Sequence, residues 1–549
     1  MTPLLSYEKN RLTQAIREAG RKIFNLKNQS KEHSVRDLAE EIGLSKSSVH
    51  RQIQGIERRN KHPESHVWET ESGQEWLSLL VFGTLFSFGI GSGVGAESIS
   101  LFFKLIKIDT HVGISPSVLR GKLQKMEELL PQFQDMCEKN QSSSPKDATV
   151  ALDETFFGKF MILVMMDLKS GYLLLEDVAD DRCYDTWFKK TMPRLEQLGI
   201  TVTHAISDRA KALIKMAVTG FECQSGADLF HAQQDVSRLL GGSLGRRLSA
   251  AEKSLEEAKA IELKTAKKHE NSKEMVKSEQ ERIKAEKHLE QIKKSSQKYH
   301  DELQGIGDDI HPFTINKNEI NNAQMIESSL ESRAHVFEEI AAEEEIIDHK
   351  GKMKKFRKQF SALAISVTVW WVLVSEILEQ IKIKEEQQEW FTKNMLSVVY
   401  WHQRMEQTKN PKSRKKYYQA WEEASKNLKN HPLTMQLPIN ELEYWQNVAE
   451  NMVRQFHRSS SAVEGRNGCL SQMYHNGRGF TEQRLKALTV VHNYYIKRAN
   501  GTTAGMRLFG IAHPDLFKWL LKNMEDLPLP RNRNQVTLTN SLILLDVPS

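Results

Sequence analysis

The spacing of apolar positions changes several times along this chain and divides it into five zones. Residues 1–62 carry helical spacing on a basic background, and 66–138 are helical and far more apolar. From Ala148 to about Asp235, short strand-like apolar runs alternate with helical ones. Between Leu248 and Glu450 the composition turns to Glu, Lys, Gln and Ala with almost no strand signal. Val453–Lys522 is helical again and leads into a tail rich in Pro, Arg and Asn. The zones predict domains at 1–62, 63–145, 146–247, 248–450, 451–525 and 526–549.

Within the first zone, SVRDLAEEIGLSKSSVHRQIQGIERR (Ser34–Arg59) reads as helix, tight turn, helix. Ser34 can cap the first helix, whose apolar face is Val35, Leu38, Ala39 and Ile42; Gly43 supplies the turn. Ser45 can cap a second helix buried through Val49, Ile53 and Ile56. That leaves Lys46, Ser47, Ser48, His50, Arg51, Gln52 and Gln54 facing outward, a polar and basic set suited to phosphates and base edges in a major groove. A solvated helical hairpin without a ligand is the competing reading. Ser92–Leu123 has a fainter helix-turn-helix outline, but its apolar density argues for packing.

Two stretches are apolar enough to be weighed against a membrane, Trp76–Ala96 and Gln359–Ser375. The first is crowded with glycine and the second falls short of the roughly 20 residues a span needs, so both read as buried core helices. Leu248–Leu303 has balanced charge and neither Gly nor Pro, which predicts one long helix. The seam Ala285, Leu289, Ile292, Ser296, Tyr299, Leu303 has coiled-coil spacing. After a break at Gly305–Asn316, Glu319–Phe360 would return as the second arm of an antiparallel hairpin. The clusters Lys352–Lys358 and Lys412–Lys416 are dense enough to touch a DNA backbone, although a solvated face explains them equally well.

The chemistry begins at Thr149. TVALDET is a short strand ending in Asp153, FMILVMMD (Phe160–Asp167) a second, and Tyr172–Asp177 a third, with turn spacing that implies an antiparallel meander. An amphipathic helix over Arg182–Leu198 crosses to a fourth strand, Val202–Ser207, which delivers Asp208; Ala227–His231 is a candidate fifth strand. Three antiparallel strands, a crossover helix and a parallel strand form a ribonuclease-H-like order, in which the ends of the first and fourth strands lie side by side. Two carboxylates brought together there repel unless a cation sits between them, and oxygen ligands select Mg²⁺ or Mn²⁺. Such a site suits phosphodiester hydrolysis and strand transfer with two ions. A third carboxylate should come from a helix, and Glu464 in RSSSAVEGRNGCL is the candidate; a surface Glu on an ordinary helix is the alternative. Glu154 would face the other side of the sheet, and Glu222 follows Asp208 too closely. Arg209, Lys211, Arg458 and Arg466 are candidate phosphate contacts; His231, at the end of the candidate fifth strand, is either structural or helps position water near the metals, while His492 and Asn493 receive no derivable role.

Composition narrows the field. In 549 residues, Lys+Arg 77 against Asp+Glu 71 leaves a net charge of only +6, so any nucleic-acid role rests on local charge. Four scattered cysteines, Cys137, Cys183, Cys223 and Cys469, exclude a disulfide scaffold or zinc finger and fit a reducing cytosol. The polar N-terminal stretch shows no secretory signal.

LDETFFGKFMILVMMDLKSGYLLLED, AISDRAKAL, and SSSAVEGRNGCLS followed by HNYYIKRANGTTAGMRLFG resemble bacterial insertion-sequence transposases of the DDE class, within the retroviral-integrase-like superfamily. The resemblance covers roughly 150–235 and 453–510. It implies Asp153, Asp208 and Glu464 as the catalytic, metal-binding triad, with the long 248–450 stretch as a helical insertion between the second Asp and the Glu. The expectation is then an α/β ribonuclease-H-like core with a mixed five-stranded sheet, a helical and coiled-coil insertion, and an N-terminal all-α helix-turn-helix region. The protein would bind double-stranded DNA as a homodimer or higher assembly in the cytoplasm, away from membranes, and cut and join strands with two Mg²⁺ (or Mn²⁺) ions. A regulatory DNA-binding protein derived from such an enzyme, or a structure-specific nuclease of the same fold, are the alternatives.

Overall fold

The computed structural model describes residues 3–29, 33–61, 63–140, 145–157, 160–268, 273–458, 461–478 and 481–530. The protein is mostly helical, with one mixed five-stranded sheet, and divides into two compact units: Met1–Gln141 with Ser471–Ser549, and Ser142–Leu470.

In the first unit, helices Pro3–Gln29, Val35–Ile42 and Lys46–Arg59 close on a small core of Ile23, Phe24, Leu38, Ala39, Val49, Ile53 and Ile56. The local signals act where the sequence puts them. Ser34 Oγ accepts the Asp37 N–H while the Asp37 carboxylate accepts the Ser34 N–H, a reciprocal cap. Gly43 takes the left-handed conformation (φ 73°) that ends the first short helix, and Ser45 Oγ accepts the Ser48 N–H to start the next. The segment Ser92–Leu123 becomes helix Ala96–Leu105, a connection, and the start of helix Pro116–Lys139. Its Ile99, Phe103, Ile108, Val112, Ile114 and Leu119 are buried, as its apolar density required.

The sheet of the second unit has the order β3-β2-β1-β4-β5, from β1 (Lys146–Phe157), β2 (Phe160–Asp167), β3 (Leu173–Ala179), β4 (Ile200–Ser207) and β5 (Gln224–Ala227). β2 pairs antiparallel with β1 and β3, whereas β4 runs parallel to both β1 and β5. The uninterrupted apolar run of β2 is explained by burial of Ile162, Leu163, Val164, Met165 and Met166, since a strand covered on both faces needs no alternation. Helix Tyr184–Leu198 makes the crossover and stops at Gly199 (φ 61°). Several strand limits differ from expectation, and two of these differences bear on the site. β1 continues past Asp153 to Phe157 because it keeps its antiparallel partner β2 after β4 has ended. The fifth strand is Gln224–Ala227, and His231 lies on the helix that follows, Leu229–Val236. Asp228 ends the strand by accepting the Phe230 N–H at 3.2 Å, which starts that helix.

The long helical region also folds differently from expectation. Leu248–Leu303 is two helices, Gly242–Lys268 and Lys273–Asp309, packed antiparallel; residues 269–272 lie outside the described residues. Ala251 shares a small core with Leu289 and Ile292, and Glu262 pairs with Arg282 further along, which fixes the opposite directions. One turn-back therefore falls within this segment, and Glu319–Phe360 returns as expected only in its first part: helix Ala323–Glu343 runs antiparallel along the C-terminal half of Lys273–Asp309, with Ser295 on Glu344, Lys298 on Glu339 and Arg333 on Glu302. That run is itself broken between helices Ala323–Glu343 and Lys352–Arg357. There, the Asp348 carboxylate accepts the N–H groups of Lys352 and Met353, and Gly351 is left-handed at φ 61°.

Much of the region builds a large core of its own around Phe313, Phe337, Phe356, Trp370, Trp390, Phe391, Tyr400 and Trp401. Among the described residues, Lys352–Ile381 is the one helical run long and apolar enough to cross a membrane, with mean hydropathy 1.8. Its Leu363, Val367, Trp370 and Val374 belong to this core, and Trp370 donates its indole N–H to the Met452 carbonyl at 2.9 Å.

Candidate metal centre

Three side chains from distant parts of the second unit meet beside β1. Asp153 is supplied by the strand, His231 by the first turn of helix Leu229–Val236, and Glu464 by the first turn of helix Ser461–Met473. One ligand atom from each lies within 4.8 Å of the others, the only such group of His, Cys, Asp and Glu among the described residues. His231 Nε2 is 3.4 Å from Glu464 Oε1 and 3.8 Å from the Oδ2 of Asp228, whose side chain is fully buried.

Burial and like charge dominate the electrostatics of the group. Burial, together with the neighbouring Glu464 and Asp208 carboxylates, pushes Asp153 up to about 7 despite help from the Glu154 backbone N–H and from His231. Burial and Asp228 also raise Glu464, opposed by His231. Asn467, one helical turn beyond Glu464, donates its amide to Asp153 Oδ2 at 2.6 Å, and its own Oδ1 is buried without a partner. Two carboxylates and an imidazole in this crowding, with an orphaned amide oxygen alongside, fit a divalent cation.

The helix bearing Glu464 is fixed by Arg466. Its guanidinium, expected to hold phosphate, is instead buried against Glu176 of β3 in a two-pronged ion pair of 2.7 and 2.6 Å. Arg458 is likewise turned inward. Its Nη1 donates to the carbonyls of Gly307 and Ile310 and to His311 Nε2, and its own carbonyl accepts the Leu229 N–H. Neither arginine is the phosphate contact expected of it, since charge pattern alone does not reveal which acceptors lie beneath a helix. Both are internal ties.

Asp208 is not in the three-residue group. It stands exposed one residue past β4, and its Oδ1 accepts the Ala210 N–H at 2.9 Å, a turn bond that directs the carboxylate along the chain. It is nonetheless near enough to raise Asp153. Arg209 sits in the left-handed region (φ 64°) and donates to the Ser225 carbonyl at 3.0 Å, while Lys211 is exposed at the start of helix Lys211–Lys215. Glu154 points to the other side of the sheet, bonded to Arg182 and Trp187.

In the first unit, Lys46, Ser47, His50 and Arg51 are exposed on helix Lys46–Arg59, with Ser48 and Gln52 half-buried. Arg51 Nε rests on the Ser47 carbonyl at 3.2 Å, leaving the rest of the guanidinium outward. Asn493 is fully buried and His492 half-buried, both on helix Glu482–Tyr494 of the first unit.

Sequence reasoning missed Asn467 and Asp228, and weighed His231 as a water-positioning or structural residue but not as a ligand. The available signal was spacing: Asp228 and His231, like Glu464 and Asn467, are three residues apart, which places each pair on one helical face.

Residues 391–536 match a family of unknown function, DUF6399, and this stretch contains Glu464, Arg466 and Asn467. None of the curated proteins compared with the chain matches it.

Proposed function

We propose that this chain is a DDE-class DNA transposase with a ribonuclease-H-like catalytic core and a helical insertion. The observation that carries the reading is the meeting of Asp153 with Glu464 and its helix neighbour Asn467, residues hundreds of positions apart, at one point of a β3-β2-β1-β4-β5 sheet. The arrangement of β1 parallel to β4, with an acidic residue in or just beyond each, supports the same reading.

Asp153, Glu464 and His231 would hold the metal, with Asp208 joining by giving up its Ala210 bond. Bound Mg²⁺ or Mn²⁺ would lower the pKa of an attacking water or 3′-hydroxyl and stabilise the leaving oxygen. An imidazole among the ligands favours Mn²⁺ over Mg²⁺. Asn467 holds the Asp153 carboxylate in one orientation, and the Arg466–Glu176 pair holds the helix that brings Glu464 to it. Helix Lys46–Arg59 reads the element's ends through Lys46, Ser47, Ser48, His50, Arg51 and Gln52 in the major groove, with DNA double-stranded on both the donor and target sides.

The test is an assay of the purified chain on linear DNA carrying the sequences that flank this gene, with Mn²⁺ or Mg²⁺ and a supercoiled target plasmid. Nicked ends and joined products are expected, and Asp153→Asn or Glu464→Gln abolishes both. Metal-dependent cleavage surviving in both variants would remove the site from the chemistry. Cleavage that never yields joined product would make the protein a nuclease of the same fold.

A further inference from the structure

Helix Phe360–Ile381 packs over β5, yet it leaves a cavity of about 460 Å³ against the sheet, the size of a small-molecule site. The cavity is lined by Thr149, which precedes Asp153 by four residues on β1 and so lies ~13 Å along the strand from the metal centre. Two local features make the space. A bulge in β4 pairs Ala148 with Val202 but Thr149 with His204, so Thr203 is skipped, and Thr203 and His204 both line the cavity. Gly226 of β5 leaves out a side chain: a Cβ there would lie 3.0 Å from His204 Nε2 and 3.4 Å from Ser366 Oγ.

The floor of this cavity is polar and unsatisfied. His204 and Ser366 are each only 3% exposed, yet neither ring nitrogen nor the hydroxyl has a hydrogen-bond partner of proper geometry. Buried polar groups are rarely left so, because an orphan costs more than a typical bond gains. Burial lowers His204 to about 4 against a smaller pull from the Gln224 backbone, so the ring is neutral, with one nitrogen donating and the other accepting. The helix wall is largely apolar, through Ile365, Val369, Trp370 and Leu373. The Asp, Glu and Lys side chains of the lining, Asp147, Glu376 and Lys169, are all exposed and sum to one negative charge, which favours a neutral ligand over an anion.

We propose that this cavity binds a neutral nitrogen heterocycle of nucleobase or nucleoside size, its ring against Val369 and Leu373 and its polar edge on His204 and Ser366. The lining selects that chemistry. A neutral imidazole and a hydroxyl, both within 3.4 Å of the space left at Gly226, ask for a donor and an acceptor side by side on one edge of an apolar body. A purine or pyrimidine presents that edge and an apolar face. The site goes beyond the catalytic reading, and its readout is heat of binding without DNA or metal, so either can fail alone.

Isothermal titration calorimetry of the full chain with adenosine, thymidine and AMP tests it. At least one nucleoside is expected to bind with a Kd on the order of 100 μM, and AMP more weakly than adenosine. Ser366→Ala and His204→Phe each weaken that binding about tenfold with an unchanged circular dichroism spectrum. Ser366→Ala does not lower the unfolding midpoint, since the hydroxyl gives up no internal hydrogen bond. Val369→Trp, which fills the cavity from the helix side, abolishes binding. No heat from either nucleoside at up to about 5 mM would mean that the cavity holds only water. AMP binding more tightly than adenosine would make it an anion site, and equal affinity in Ser366→Ala and His204→Phe would place the ligand elsewhere. Each of these three results overturns the proposal.

Discussion

Replacing Glu176 with Gln asks what holds the helix that carries Glu464. The Arg466 and Glu176 side chains are only 4% and 0% exposed, and two parallel hydrogen bonds of 2.7 and 2.6 Å join them. The Gln variant keeps the shape and one acceptor but removes the counter-charge, leaving a guanidinium buried and uncompensated. Breaking one side of such a pair costs about 3–5 kcal/mol, far more than an exposed pair is worth. Arg466→Met should cost a similar amount by stranding the carboxylate. Replacing both together, Glu176→Leu with Arg466→Met, should restore most of the loss, because neither charge then has to be desolvated. The assay is urea unfolding of the four proteins. With a slope of about 3 kcal/mol per molar, each single variant shifts the midpoint of the sheet-containing unit down by about 1 M or more. Mn²⁺ binding, followed by electron paramagnetic resonance, should weaken in the single variants, since Glu464 and Asn467 ride on the same helix. One outcome refutes this account. If Arg466→Met leaves the unfolding midpoint unchanged and instead lowers the salt dependence of DNA binding, Arg466 is a phosphate contact and its burial has been misjudged.

Two further predictions concern other parts of the molecule. Burial lowers His204 to about 4, opposed by the Gln224 backbone, so between pH 6.5 and about 4 the unfolded chain takes up a proton that the folded chain refuses. Stability is therefore lost as pH falls through that window, by up to about 3 kcal/mol from this residue, and His204→Asn should flatten the pH dependence of the unfolding midpoint. If helix Lys46–Arg59 reads DNA as proposed, Arg51→Ala should weaken binding to the DNA that flanks this gene and reduce the slope of log K against log salt by about 1 where the residue meets a phosphate. An unchanged slope and affinity would take Arg51 out of the interface.

Parts of the fold were legible because they rest on local rules. The Ser34 and Ser45 caps, the Gly43 turn and the Gly199 stop each follow from one residue's chemistry, and β2 from a run of seven apolar residues. Asp153 could be chosen as a strand-end carboxylate, whereas spacing left Glu464 level with an ordinary surface Glu and the resemblance to DDE transposases favoured it. What the sequence hid depends on which partner a side chain meets. Arg458 and Arg466 look identical to phosphate clamps until the Gly307 and Ile310 carbonyls and Glu176 are seen beneath them. His231 was assigned to a strand because FHAQ has no strong preference for either element; the Asp228 cap decides for helix and swings the imidazole toward Glu464. The helical hairpin shows the same limit from the other side. A run free of Gly and Pro permits a long helix but does not prevent a reversal, and balanced charge cannot say which strip faces inward. Only with both helices in place does the polar pair Glu262–Arg282 appear inside and Leu263 outside.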